Sequence, residues 1–112
     1  MSTNAITADG ELVNIDGTGN RGAALIYGPE NVIILAGINK VSANLQDALS
    51  RARNVASPIN CKRLGRNTPC TATGVCADCL SPDCICNQTV ITRRSGIKGR
   101  IKVLLIGEAY GY

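Results

Sequence analysis

All six cysteines of the chain fall between Cys61 and Cys86, in the spacing Cys61-x8-Cys70-x5-Cys76-x2-Cys79-x4-Cys84-x-Cys86. The surrounding residues 59–88 carry Pro69 and Pro82 and show no hydrophobic periodicity. A structureless loop of that length is uncommon in a compact domain unless something orders it, and a metal bound by thiolates would do so. Histidine is absent. No imidazole base, Ser-His-Asp triad, Cys-His dyad or His-ligated metal can be built from this chain.

What the thiols do depends on the compartment. The opening residues Met1-Ser-Thr-Asn-Ala-Ile-Thr have neither a basic stretch nor an apolar one, so no signal peptide is visible. No run approaches the roughly 18 apolar residues of a membrane span. The expectation is a cytoplasmic protein away from membranes, where thiols stay reduced and clustered cysteines point to metal ligands or redox groups ahead of structural disulfides. Cys76-Ala77-Asp78-Cys79 has the two-residue spacing that lets two sulfurs of one turn reach one ion or cluster, and Cys70 with Cys86 or Cys84 could complete a four-thiolate site. Zinc and an iron-sulfur cluster both suit such a set. The Cys-Pro ending common in ferredoxins is missing, since Asn87 follows Cys86. The alternatives are a redox-active disulfide pair and unliganded thiols in a segment that docks a partner.

At 112 residues the chain makes one domain at most, and with no Phe, no Trp and three tyrosines its core must be aliphatic. The lack of aromatic platforms counts against single-strand nucleic-acid binding. Residues 1–48 hold five acids against two bases, residues 49–112 ten bases against three acids. A nucleic-acid surface around Arg93, Arg94, Lys98, Arg100 and Lys102 is one reading of that asymmetry. A solvated basic hairpin is the favoured one, because no aromatic residue interleaves with the charges.

Along the chain, Asp9-Gly10 between two short β-prone runs predicts a hairpin. A glycine loop then leads into a short buried helix at Ala23–Tyr27, stopped by Gly28-Pro29. Val32–Gly37 is wholly aliphatic, the mark of a strand covered on both faces in an α/β layer arrangement. Apolar positions at Leu45, Ala48, Leu49, Ala52, Val55 and Ala56 predict an amphipathic helix capped by Ser42 or Asn44 and closed by Ser57-Pro58. Thr89–Thr92 and Arg100–Ile106 are expected to form a C-terminal β-hairpin. Two helices cannot cover both faces of a sheet whose strands are apolar on both, so a covering element is expected from outside the chain.

Gly17-Thr18-Gly19-Asn20-Arg21-Gly22 formally fits the dinucleotide fingerprint, but no acid stands about 20 residues on, where Ile38-Asn39-Lys40-Val41-Ser42 lies. What remains is a candidate anion site: backbone N–H groups, the Thr18 hydroxyl, the Asn20 amide and the Arg21 guanidinium at a helix start. The competing reading is a tight turn with Asn20 as a helix cap.

Asp9-Gly-Glu-Leu-Val-Asn-Ile-Asp-Gly-Thr-Gly-Asn-Arg21, Ile26-Tyr-Gly-Pro29, Ala36-Gly37 and Ile106-Gly-Glu108 resemble the lactate utilization (LUD) domain family. Thr68-Pro-Cys70, Thr73-Gly-Val-Cys76, Asp78-Cys79, Ser81-Pro82 and Ile85-Cys86-Asn87 are similar to the cysteine segment of its stand-alone branch, to which no activity is assigned. The resemblance implies an α/β fold with a Rossmann-like sheet of the isomerase/CoA-transferase-like type, here partial. It implies a place in lactate or organic-acid metabolism; the small anionic metabolite expected at Gly17, Thr18, Gly19, Asn20 and Arg21 rests on the donors of the loop itself. Iron-sulfur proteins or a second copy of the chain are the implied partners. It also singles out Cys70, Cys76, Cys79 and Cys86, since relatives commonly have other residues at Cys61 and Cys84. Family members run to about twice this length, so residues 1–112 are expected to match the C-terminal portion of such a domain, with 59–88 as its cysteine-rich insertion. An oxidoreductase component, or a CoA-transferase-like enzyme using Glu108 as its carboxylate, is the enzymatic alternative. A structural or interaction module with redox-active thiols is the other.

Overall fold

A computed structural model describes residues Met1–Tyr112. Strand β1 (Ala5–Thr7) and strand β2 (Leu12–Asp16) form the expected antiparallel hairpin, turned at Gly10 with φ 93°. Glycine takes that left-handed conformation without the penalty a Cβ would bring. Helix α1 (Asn20–Ile26) follows, then β3 (Val32–Gly37), a single 3-10 turn at Ile38–Lys40, and the two-residue β4 (Val41–Ser42). Helix α2 (Leu45–Arg51) is capped by Asn44, whose side chain accepts from the Asp47 N–H at 2.9 Å. The cysteine segment is not the structureless loop expected: short helices α3 (Ser57–Arg63) and α4 (Pro69–Thr73) carry Cys61 and Cys70 in it, and β5 (Gln88–Thr92) and β6 (Ile101–Ile106) end the chain.

Helical backbone does not stop at Ser57-Pro58 as expected. Residues Ala52–Ala56 form a π turn, in which the Ser57 N–H reaches back to the Ala52 carbonyl, and Pro58 then sits in the first turn of α3. Proline in a helix removes a donor and crowds the carbonyl four residues back. A π turn widens the helix at that point and relieves both conflicts, so helix runs from Leu45 to Arg63 and carries Cys61 into the core.

The fold is mixed α/β, with two sheets. The larger has the order β4-β1-β2-β5, parallel at β1–β4 and antiparallel elsewhere; the smaller pairs β3 with β6 in parallel. The two C-terminal strands therefore occupy their expected positions but do not form a hairpin with each other. β5 adds to β2, and residues 93–100 carry the chain across to β3. Buried Arg100 makes that crossing firm: its guanidinium donates to the carbonyls of Ala24, Leu25 and Pro29, satisfying the end of α1. It is not part of a basic surface.

One face of the larger sheet (Ala5, Val13, Ile15) packs on Ala48 and Ala52 of the long helix. The other (Ile6, Leu12) packs on Leu25 of α1 and on Val32 and Ile34 of β3. This three-layer stack uses only one face of β3. Ile33 is 52% exposed and Leu35 36%, against the expectation that this strand is covered on both sides.

Candidate functional site

The hairpin ends at Asp16, and there the glycine loop begins. Asp16 is almost wholly buried; its Oδ1 accepts from Arg21 Nε at 2.8 Å and its Oδ2 from the Gly22 N–H at 2.7 Å. Arg21 also donates to the Ile15 carbonyl and Asn4 Oδ1. The carboxylate of Asp16, rather than the Asn20 amide, thus answers the Gly22 N–H in the first turn of α1. Glycine is needed at two points: Gly19 has φ 84°, and a Cβ on Gly22 would stand 2.8 Å from Val90 Cγ2 of β5.

Beyond Arg21 the loop forms one wall of a cleft of about 580 Å³, with Thr18 and Asn20 on that wall and Lys40, Arg63 and Arg66 around it. The last three were not singled out by sequence, because nothing in their local pattern marks them. Lys40 is 4% exposed, and its Nζ donates to the Thr3 carbonyl at 2.8 Å. Burial, then the nearby Arg51 and Arg21 charges, hold its pKa below the usual lysine range. Arg63 bonds the Asn60 side-chain oxygen through two nitrogens.

Across the Ile85-Cys86 stretch lies the second cavity. Ile85 lines the cleft, and Cys86 lines a space of about 360 Å³. All six cysteines border it: Cys61 from α3, Cys70 from α4, and Cys76, Cys79, Cys84 and Cys86 from the loop that follows. Asn87 ties this loop to the glycine loop, donating from its backbone to the Asp16 carbonyl and from its side chain to the Gly17 carbonyl.

The thiols differ in character. Cys61 is 1% exposed, and burial pushes its pKa up to about 11, so it is a neutral thiol at pH 7. The Ser81 backbone N–H lowers that of Cys79. Backbone N–H groups of Asp78 and Cys86 point at the sulfurs of Cys76 and Cys84, at 3.3 and 3.4 Å. Asp78 is the one non-glycine residue with positive φ (52°), and it stands between Cys76 and Cys79. Amide donors on sulfur are the contacts that tune and stabilise metal thiolates. Thiols are ligands for soft or borderline metals, but no three of these side chains are drawn to one point.

Glu108 lies past β6. Its backbone carbonyl accepts from Ile38, while its side chain is exposed and lines neither cavity. No helix is long and apolar enough to cross a membrane.

These features define a mixed α/β domain with a thiol-lined cavity and an adjoining basic cleft. The chain belongs to the LUD domain family, whose profile matches residues 1–106. It is thus a lactate-utilization-related domain. No curated protein and no solved structure matches it.

Proposed function

We propose that this domain serves lactate or related organic-acid metabolism as a binding component that holds a metal in the thiol cavity and a small anion in the cleft beside it. The carrying observation is that six cysteines from three separate segments border one cavity. Cys70, Cys76, Cys79 and Cys86 would hold zinc or an iron-sulfur cluster, with Cys61 and Cys84 as neighbours. Zinc would order the loop; a cluster would add one-electron chemistry. A thiolate-bound metal of this kind suits a reducing compartment such as the cytoplasm. The second site is the Gly17–Arg21 loop, of which Gly17, Thr18, Asn20 and Arg21 line the cleft while Gly19 makes the turn, supported by the excess of basic groups around it.

Anaerobic purification followed by metal analysis and an absorption spectrum tests the thiol site. Bound zinc or an iron-thiolate absorption band is expected, lost on Cys76→Ser or Cys79→Ser and kept on Cys61→Ser or Cys84→Ser. Metal-free, colourless and fully folded protein overturns the metal assignment.

A further inference from the structure

The cleft is lined by more positive charge than the chain neutralises. Lys40 is buried and Arg51 half-buried, and neither takes part in an ion pair; the ion pairs of the chain are made by Arg21, Arg53 and Arg66. The Lys40 ammonium has one acceptor, the Thr3 carbonyl, and Arg51 donates only to the carbonyls of Asn39 and Asn4. Asp16 offsets Arg21 and nothing more. Carbonyl oxygens satisfy donors but do not cancel charge, and buried charges in folded proteins are generally paired. Two cations that line the cleft, Lys40 and Arg63, remain without counter-charge, and Arg51 adds a third positive charge close to Lys40.

We propose that Lys40 anchors a compact dianion, a phosphate group or a dicarboxylate of similar size, with Arg51 behind it and the Thr18 and Asn20 side chains as neutral donors. This rests on the reading of the cleft as an anion site and names its ligand class. A dianion supplies the missing two charges, which a monocarboxylate does not. Ammonium and guanidinium groups bind oxyanions by charge-assisted hydrogen bonds, roughly twice as strong as neutral ones. The Gly111 backbone passes close to the Lys40 amine, where a Cβ would lie 3.0 Å from Nζ, so the C-terminal segment closes that end of the site.

The test is calorimetric titration and thermal unfolding of the full chain with inorganic phosphate, oxalate and acetate at fixed ionic strength. Phosphate or oxalate is expected to raise the unfolding midpoint with concentration and to bind at least about tenfold tighter than acetate. Whichever dianion is tighter identifies the source chemistry. Lys40→Met is expected to weaken that ligand about tenfold or more while leaving the ligand-free midpoint at or above wild type, because it removes a buried unpaired charge. A purely structural lysine would instead lower the ligand-free midpoint and leave the affinity alone. Should Lys40→Met fail to fold, Arg63→Gln on the exposed rim must weaken the same ligand severalfold, and unchanged affinity there overturns the proposal. If Lys40→Met binds as wild type does while Thr18→Val weakens binding, the Lys40 proposal falls and the cleft reading stands. Equal affinity for acetate overturns the dianion class. If no anion binds at all, both fall.

Discussion

Asn14 lies in the middle of β2 with its side chain wholly buried, and neither its amide nitrogen nor its oxygen has a partner. Leaving a buried polar group unpaired costs about 1–3 kcal/mol. Leucine has nearly the same shape and no such cost, so Asn14→Leu is expected to raise the unfolding free energy by about 1 kcal/mol in urea denaturation; a loss of similar size would mean that the amide has a partner. Two residues on, Asp16 shows the opposite economy, with both oxygens occupied. The sequence pattern alone puts Arg21 and the glycines at the head of a helix. It could not tell that Arg21 is answered by the chain's own Asp16, because that depends on how β2 delivers the carboxylate to the loop. Lys40 was invisible for the same reason: its environment is made by Thr3, Arg51 and the C-terminal segment, all distant in sequence.

Elements set by local signals were legible, and those set by neighbours were not. Asp9-Gly10 fixed the first hairpin, the aliphatic run fixed β3, and Asn44 capped α2, since each depends on residues a few positions apart. The proline at 58 misled because the π turn that accommodates it leaves no mark in the apolar pattern. The proximity of β5 and β6 suggested a hairpin, but backbone pairing was decided by β2 and β3. A neighbour also explains Gly37, at the end of β3. A Cβ there would overlap the Tyr110 amide nitrogen and Asn39 Oδ1, the two atoms that hydrogen-bond to dock the C-terminal segment. Gly37→Ala is expected to cost about 1–3 kcal/mol and to speed proteolytic removal of Tyr110–Tyr112. Unchanged cleavage would show that the segment is held by other contacts.

For the molecule as a whole, the chain makes more apolar strand than its own helices cover. The register sets Leu35 beside Leu104 and Ile33 beside Lys102, so Ile33, Leu35 and Leu104 share the outer face of the small sheet. Leu104 and Leu105 are each 54% exposed, and the free edge of β6 has no strand beside it. The excess of apolar strand was readable from composition and periodicity; that it would gather on a separate two-stranded sheet was not, since that follows from β5 leaving the C-terminal pair. Contiguous apolar surface of this kind attracts apolar molecules in water. An environment-sensitive dye such as anilinonaphthalene sulfonate should therefore bind the folded protein, and Leu104→Lys should cut its fluorescence by about half with the far-UV circular dichroism unchanged. Lysine is expected to be tolerated here because the site is exposed and the ladder to β3 uses only backbone groups. Dye fluorescence equal in the two proteins would place the apolar surface elsewhere, with exposed Ile26 and Tyr27 at the end of α1 as the next region to substitute.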